Sequence, residues 1–130
     1  MRREGFRHGF SEDDWEKAKA EAREAMIARV QNSKNVETIT YSELVGAIDA
    51  IKMEPHDSRL AHFLGEIAEA ENSAGRGLLT VVVVHKSGDK MPGPGFFEMA
   101  KKLGRDTRDP VSFWITELKV VHEAWTNPIR

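Results

Sequence analysis

Apolar residues recur every three or four positions at Trp15, Ala18, Ala22, Met26 and Val30, which predicts a helix over about 12–31 with one buried stripe. Ser11 stands where its hydroxyl can cap that helix, Asp14 follows three residues on, and Phe10 with Trp15 forms a hydrophobic staple. The polar stretch QNSKN should end it. ETIT has room for a short strand only, and Thr40 with Glu43 makes a capping box, stapled by Ile39 and Leu44, for a second helix over 41–52. Pro55 breaks that helix, and Asp57 or Ser58 caps a third whose stripe is Leu60, Phe63, Leu64 and Ile67, fading at NSAG.

LLTVVVVHK is the most β-prone run in the chain and predicts a central strand, with turn chemistry in SGDK after it. In MPGPGFF any returning strand must be short and irregular, because Pro92 and Pro94 cannot donate to a ladder. Helix resumes at FFEMAKKL and stops at Gly104, a C′ glycine. Asp109 then caps a last helix with Pro110 in its first position and a seam of Val111, Trp114, Leu118, Val121 and Trp125.

This order of elements resembles a winged helix-turn-helix domain with additions at both ends. Over Tyr41 to Leu103, the segments TYSEL, RLAHFLG, VVVVHKSG and GFFEMAKKLG resemble the DNA-binding domain of alkylguanine alkyltransferases and alkyltransferase-like proteins. The resemblance implies that Tyr41, at the start of the second helix, contacts a phosphate. The family's stacking Arg, three residues before a helix Gly, is here His62 before Gly65, and its reactive Cys before a His-Arg pair is Val84 before His85 and Lys86. Alkyl transfer is therefore excluded under this alignment, since valine cannot accept an alkyl group. The runs GRGLLTVVVV and PGPGFF are also similar to a pattern in small uncharacterised bacterial proteins, and imply no activity.

At 130 residues the chain suits one domain, and it holds no Cys, which removes disulfides, thiolate zinc sites and cysteine nucleophiles together. A formal net charge of −2 gives no global attraction to polyanions, so nucleic-acid binding needs a local basic face. No apolar run approaches membrane-spanning length, and the first ten residues carry Arg2, Arg3 and Arg7 without an apolar stretch. A cytoplasmic protein, with neither signal peptide nor membrane partner, is the expectation.

The expected nucleic-acid-binding residues are His56, Arg59 and His62 around the start of the third helix, Tyr41, and Lys86 and Lys90 on the wing. Glu66, Glu69 and Glu71 oppose this reading, and a solvated helix face explains the same residues. GPG before Phe96 lacks the spacing of a phosphate-cradling motif, and a tight turn feeding a helix accounts for both glycines.

The five histidines show no HxH or HExxH spacing, and no serine lies in a nucleophile elbow, so no catalytic residue, metal or cofactor is named. Nor is any small-molecule ligand. Two alternatives remain: a homodimeric interaction module using the Trp114, Leu118, Val121 and Trp125 face, which otherwise packs on the first helix against Trp15, and a metal-dependent hydrolase using Glu66, Glu71 and His85 with Lys86.

The resulting expectation is an α+β, winged-helix-like domain, mostly helical with a small antiparallel sheet and extra N- and C-terminal helices. Its parts are an arm (1–10), the first helix (11–35), a helix-turn-helix core with wing (36–104) and a C-terminal helix (105–130). Its expected role is non-enzymatic binding of duplex DNA.

Overall fold

The computed structural model describes residues 6–32, 38–86, 88 and 90–126, with residues 6 and 7 as backbone only. A hairpin of β1 (Phe6–Arg7) and β2 (Phe10–Ser11) leads into α1 (Glu12–Gln31). After β3 (Ile39–Thr40) come α2 (Tyr41–Gly46), α3 (Arg59–Ser73), a 3₁₀ turn (Leu79–Val82), β4 (Val83–Val84), α4 (Pro94–Lys102) and α5 (Pro110–Thr126). The chain is mostly helical with two very small sheets. No helix among the described residues is long and apolar enough to cross a membrane.

Helix ends follow local chemistry. The Ser11 hydroxyl accepts from the Asp14 N–H at 3.1 Å, and Glu12, Asp13 and Asp14 place negative charge in the first turn, where the helix dipole favours it. The Thr40–Glu43 capping box is complete in both directions. On α3 it is Asp57, not Ser58, that caps, its Oδ1 accepting from the Arg59 N–H at 2.9 Å. Gly104, at φ +92°, takes the left-handed position after α4. Asp109 accepts from the Ser112 N–H at 3.2 Å at the start of α5. The buried stripe of α1 is Trp15, Ala18, Ala22, Met26 and Val30, as the periodicity predicts.

Four expectations need correction. First, the central strand is a 3₁₀ turn followed by only two strand residues. Residues 78–84 are all buried, yet β3 offers just two residues to pair with. The backbone therefore closes its hydrogen bonds locally, Val81 N–H to the Leu78 carbonyl at 2.9 Å and Val83 N–H to that of Thr80. Second, β3 and β4 run parallel, Ile39 opposite Val83, and the antiparallel pair is the hairpin in the supposed arm, where His8 and Gly9 both have positive φ as a two-residue hairpin requires.

Third, α2 ends at Gly46 instead of continuing to 52. Beyond it, one Glu21 carboxylate oxygen accepts the N–H groups of both Asp49 and Ala50 at 2.9 Å, so the chain buries Ile48 and Ile51 from a loop without needing helical bonds. Fourth, Val111 does not belong to the buried seam of the last helix, being 49% exposed. Trp15 meets Phe63 edge-on at 5.1 Å, and the Trp125 ring lies against the guanidiniums of both Arg23 and Arg76.

The predicted end of the first helix in QNSKN falls partly on residues 33–37, outside the described residues, as do Ser87 and Asp89 of the wing. The loop after β4 closes with a bond from the His85 N–H to the Met91 carbonyl at 3.0 Å. The core is organised around the 3₁₀ turn, which packs against α1, α3 and α5, while α1 and α5 pack on each other.

Candidate functional site

A cavity of about 160 Å³ opens between α3 and α4. Leu60, Ala61, Leu64 and Gly65 supply its α3 wall, and Gly93, Gly95, Phe96 and Met99 its α4 wall. The small residues make the space. A Cβ on Gly95 would lie 3.6 Å from that of Ala61, and one on Gly65 would meet nothing within 4 Å. Tyr41 and the Pro55–Asp57 loop border the cavity, and Thr80, 3% exposed, reaches it from the 3₁₀ turn. A second groove shares Ala61, Gly65, Gly95 and Met99 and runs on past His62, Glu66, Glu69, Glu98 and Lys102.

Polar groups on this lining are few. The Tyr41 hydroxyl accepts the Gly93 N–H at 2.9 Å, and its ring tilts against His85 at 5.1 Å. Burial raises the phenol above its usual value despite the opposing pull of that N–H, so Tyr41 is neutral near pH 7. Its own proton has no acceptor among the described residues. The Thr80 hydroxyl oxygen is buried and has no hydrogen-bond partner among them either.

The predicted residues divide into three groups. Tyr41 and His56 border the cavity. Arg59 is committed elsewhere: its Nη2 donates to Asp57 Oδ2 at 2.7 Å, its Nη1 to the His8 carbonyl at 3.0 Å, and its guanidinium covers the Phe10 ring at 4.6 Å. The hydrogen bonds from the Arg59 side chain, with its backbone N–H, hold the Asp57 carboxyl down at about 2. His62, which is exposed, stacks on His8 with centroids 4.9 Å apart, so the hairpin is fixed to α3 through both residues. Lys86 and Lys90 are exposed on the loop after β4, Lys90 at φ +55°.

The hydrolase constellation is not assembled. Glu71 is enclosed by Arg23 at 2.6 Å and Arg76 at 2.7 Å, Glu66 accepts from Trp15 Nε1 and Lys19 at 2.9 Å each, and His85 lies against Tyr41. Among the described residues no group of three His, Asp or Glu could hold a metal ion. Leu118 and Val121 are buried within the domain, and Trp114 Nε1 donates to the Val81 carbonyl at 3.0 Å, so this face packs intramolecularly.

Sequence reasoning missed the cavity itself, with Thr80, Gly93, Gly95 and Met99. Two signals were present: one hydroxyl inside an otherwise aliphatic run from Leu78 to Val84, and glycines on the facing helices. Compared with known proteins, the chain matches no family model, no curated protein and no solved structure.

Proposed function

We propose that this domain binds nucleic acid without catalysing a reaction, and that it takes one unpaired base into the cavity between α3 and α4. The observation that carries the reading is the size and lining of that cavity. At about 160 Å³ it is smaller than sites for drug-sized ligands and suits a single ring, since a cavity of roughly 150 Å³ accommodates benzene. Apolar and aromatic walls with a few hydroxyls are what a base drawn out of a stack requires.

His56 borders the cavity, His62 and Lys102 border the adjoining groove, and Lys86 and Lys90 are exposed on the loop after β4, all available to phosphates. Of the nearby carboxylates, Asp57 and Glu66 already have cationic partners, while Glu69 and Glu98 line the same groove and oppose phosphates. The resemblance to alkyltransferase-like proteins, with Tyr41 at the start of α2 and His62 before Gly65, supports the same reading. Val84 in the place of a reactive Cys supports binding without transfer.

The test is fluorescence anisotropy with a fully paired duplex, the same duplex carrying one mismatch, and a single strand, at two salt concentrations. Binding should favour the mismatched duplex and the single strand over the paired one, because the cost of freeing a base is lower there. Lys86→Ala and Lys90→Ala should each weaken all three and lower the salt slope by about 1. Arg59→Ala is a poor probe, because it also releases the hairpin. Absence of binding at low salt and about 100 μM protein, where non-specific nucleic-acid binders are largely bound, overturns the proposal.

A further inference from the structure

We propose that the β1–β2 hairpin is a pH-sensitive latch over the start of α3, closed while at least one of His8 and His62 is neutral and released when both imidazoles are protonated, which frees Arg59 and His62 for an anionic partner. Only the identity of that partner as a nucleic acid rests on the reading above.

The hairpin is held by few contacts. β1 and β2 pair over two residues each, too few to hold a hairpin by themselves. Its tip, His8 and Gly9, is fixed from α1 and α3 instead. The His8 ring lies against Trp15 at 5.0 Å and against His62 at 4.9 Å, the two imidazoles within 20° of parallel. Arg59 supplies the rest, its Nη1 donating to the His8 carbonyl at 3.0 Å and its guanidinium covering the Phe10 ring at 4.6 Å. Both histidines are exposed, so protons reach them directly from solvent.

Charge sets the direction. Histidine is the side chain whose ordinary titration falls between about pH 5 and 8. One imidazolium stacked on neutral rings is tolerated, since a cation over an aromatic face is favourable. A second places two unit charges 4.9 Å apart, which lowers the closing constant about fourfold at the dielectric of water and further where the rings exclude water from each other. Arg59 adds positive charge at the tip, as do Lys102 on the groove that His62 borders and His56 on the loop before α3. Among the described carboxylates, Asp57 is taken up by Arg59, and Glu66 by Lys19 and Trp15 Nε1. Glu69 and Glu98 line the groove beside His62, and Glu12, Asp13 and Asp14 stand in the first turn of α1. These favour a first proton on the pair but do not separate two. Closure therefore opposes the second proton, so the closed hairpin is favoured above the imidazole range and lost as the pH falls through it. Any aromatic at either position would stack as well without this dependence.

The experiment follows the Gly9 amide by NMR, as chemical shift and heteronuclear NOE, at about pH 7.5 and about pH 5, on either side of the imidazole range. Wild type is compared with His8→Phe and His62→Phe, with thermal unfolding to show that each is folded. Wild type should be closed at the higher pH and lose closure at the lower, the ratio of closed to open falling about fourfold or more. Each variant keeps an aromatic stack with one titrating ring fewer, and should stay closed at both. Should one substitution disturb the stack at the higher pH, the other, on a separate element, carries the comparison. A wild-type hairpin still closed at the lower pH overturns the proposal, as does opening of the variants to the same extent as wild type. Anisotropy with a single-stranded oligonucleotide at both pH values separates the two readings. Opening without strand binding keeps the latch and removes the nucleic-acid reading, whereas strand binding with an unchanged Gly9 amide overturns the latch and leaves that reading standing.

Discussion

Glu71 and Glu117 are about as buried as Thr80, at 2% and 5% exposure against 3%, yet their surroundings treat them differently. Glu71 lies between two guanidiniums, and the Trp125 ring covers both, at 5.2 Å from Arg23 and 5.3 Å from Arg76. Glu117 accepts the Leu78 N–H at 2.8 Å and faces Arg105 at 3.4 Å, whose Nη2 continues to Asn72 at 2.8 Å. On that side, where α1, α3 and α5 meet, both buried carboxylates have their partners. On the cavity side a hydroxyl has none, and small residues leave room unfilled. Satisfied polar groups hold a fold together, while a buried unsatisfied one costs stability. The first side is closed by paired charges, and the second keeps open space between α3 and α4.

The sharpest way to break this contrast is to strip Glu71 of its partners. Arg23→Met with Arg76→Met leaves a buried carboxylate unpaired and should cost about 3–5 kcal/mol at neutral pH by urea denaturation. Either single substitution should cost much less, because the other guanidinium remains, so the pair will be non-additive. The pH dependence carries the sign. Burial alone would raise the Glu71 carboxyl, but the bonds from Arg76 and Arg23 prevail and hold it below the ordinary 4.5. A depressed value means stability present above pH 4.5 and lost as the pH falls through the lower folded value. In the double variant the carboxyl favours its protonated form, so the deficit should shrink between pH 7 and pH 4. A deficit independent of pH would show that Glu71 is not the group responsible.

What was legible in the sequence was what is decided locally. Ser11, Thr40 with Glu43, Asp109 with Pro110, and Gly104 act within four residues of themselves, and the α1 stripe is a matter of spacing. The 3₁₀ turn was not legible, because β-propensity describes fit to a pleated surface and says nothing of whether a partner strand exists. Here β3 supplies two residues and Pro92 with Pro94 prevents a ladder on return. Glu21 capping the loop after α2, 28 positions away, and Arg23 reaching Glu71 across 48, are likewise facts of the assembled fold. The cavity draws on α2, α3, α4, the 3₁₀ turn and the loop before α3, and it is made largely of what is missing from Ala61, Gly65, Gly93 and Gly95.

Gly77 sharpens the closed side. Its φ is +85°, and a Cβ there would fall 2.9 Å from Val120 Cγ1 and 3.2 Å from Glu117 Oε2. Gly77→Ala should therefore combine backbone strain with overpacking and cost about 2–4 kcal/mol by urea denaturation. Gly75 is the control: its φ is +79°, but nothing lies within 4 Å, so Gly75→Ala should show the strain alone, about 1 kcal/mol. Equal costs for the two would mean that the α5 face against Gly77 gives way easily, and that this side is less tightly closed than its hydrogen bonds imply.

Gly65 provides the smallest and most discriminating change, because it carries the same chemistry to the open side. It lies inside α3, where glycine is less favourable than alanine by about 0.5–1 kcal/mol, and a Cβ there meets nothing within 4 Å. Gly65→Ala should stabilise the domain by about that amount, raising the thermal midpoint by a few degrees. Gly65 also lines both the cavity and the adjoining groove, so the added methyl occupies space that a ligand would use. The variant should thus be more stable and bind uracil or a single strand several-fold more weakly, the trade expected where a site is kept open at the expense of stability. A loss of stability would show that α3 and α4 are packed there as closely as α1 and α5. A gain in stability with unchanged binding would place the ligand elsewhere on the surface.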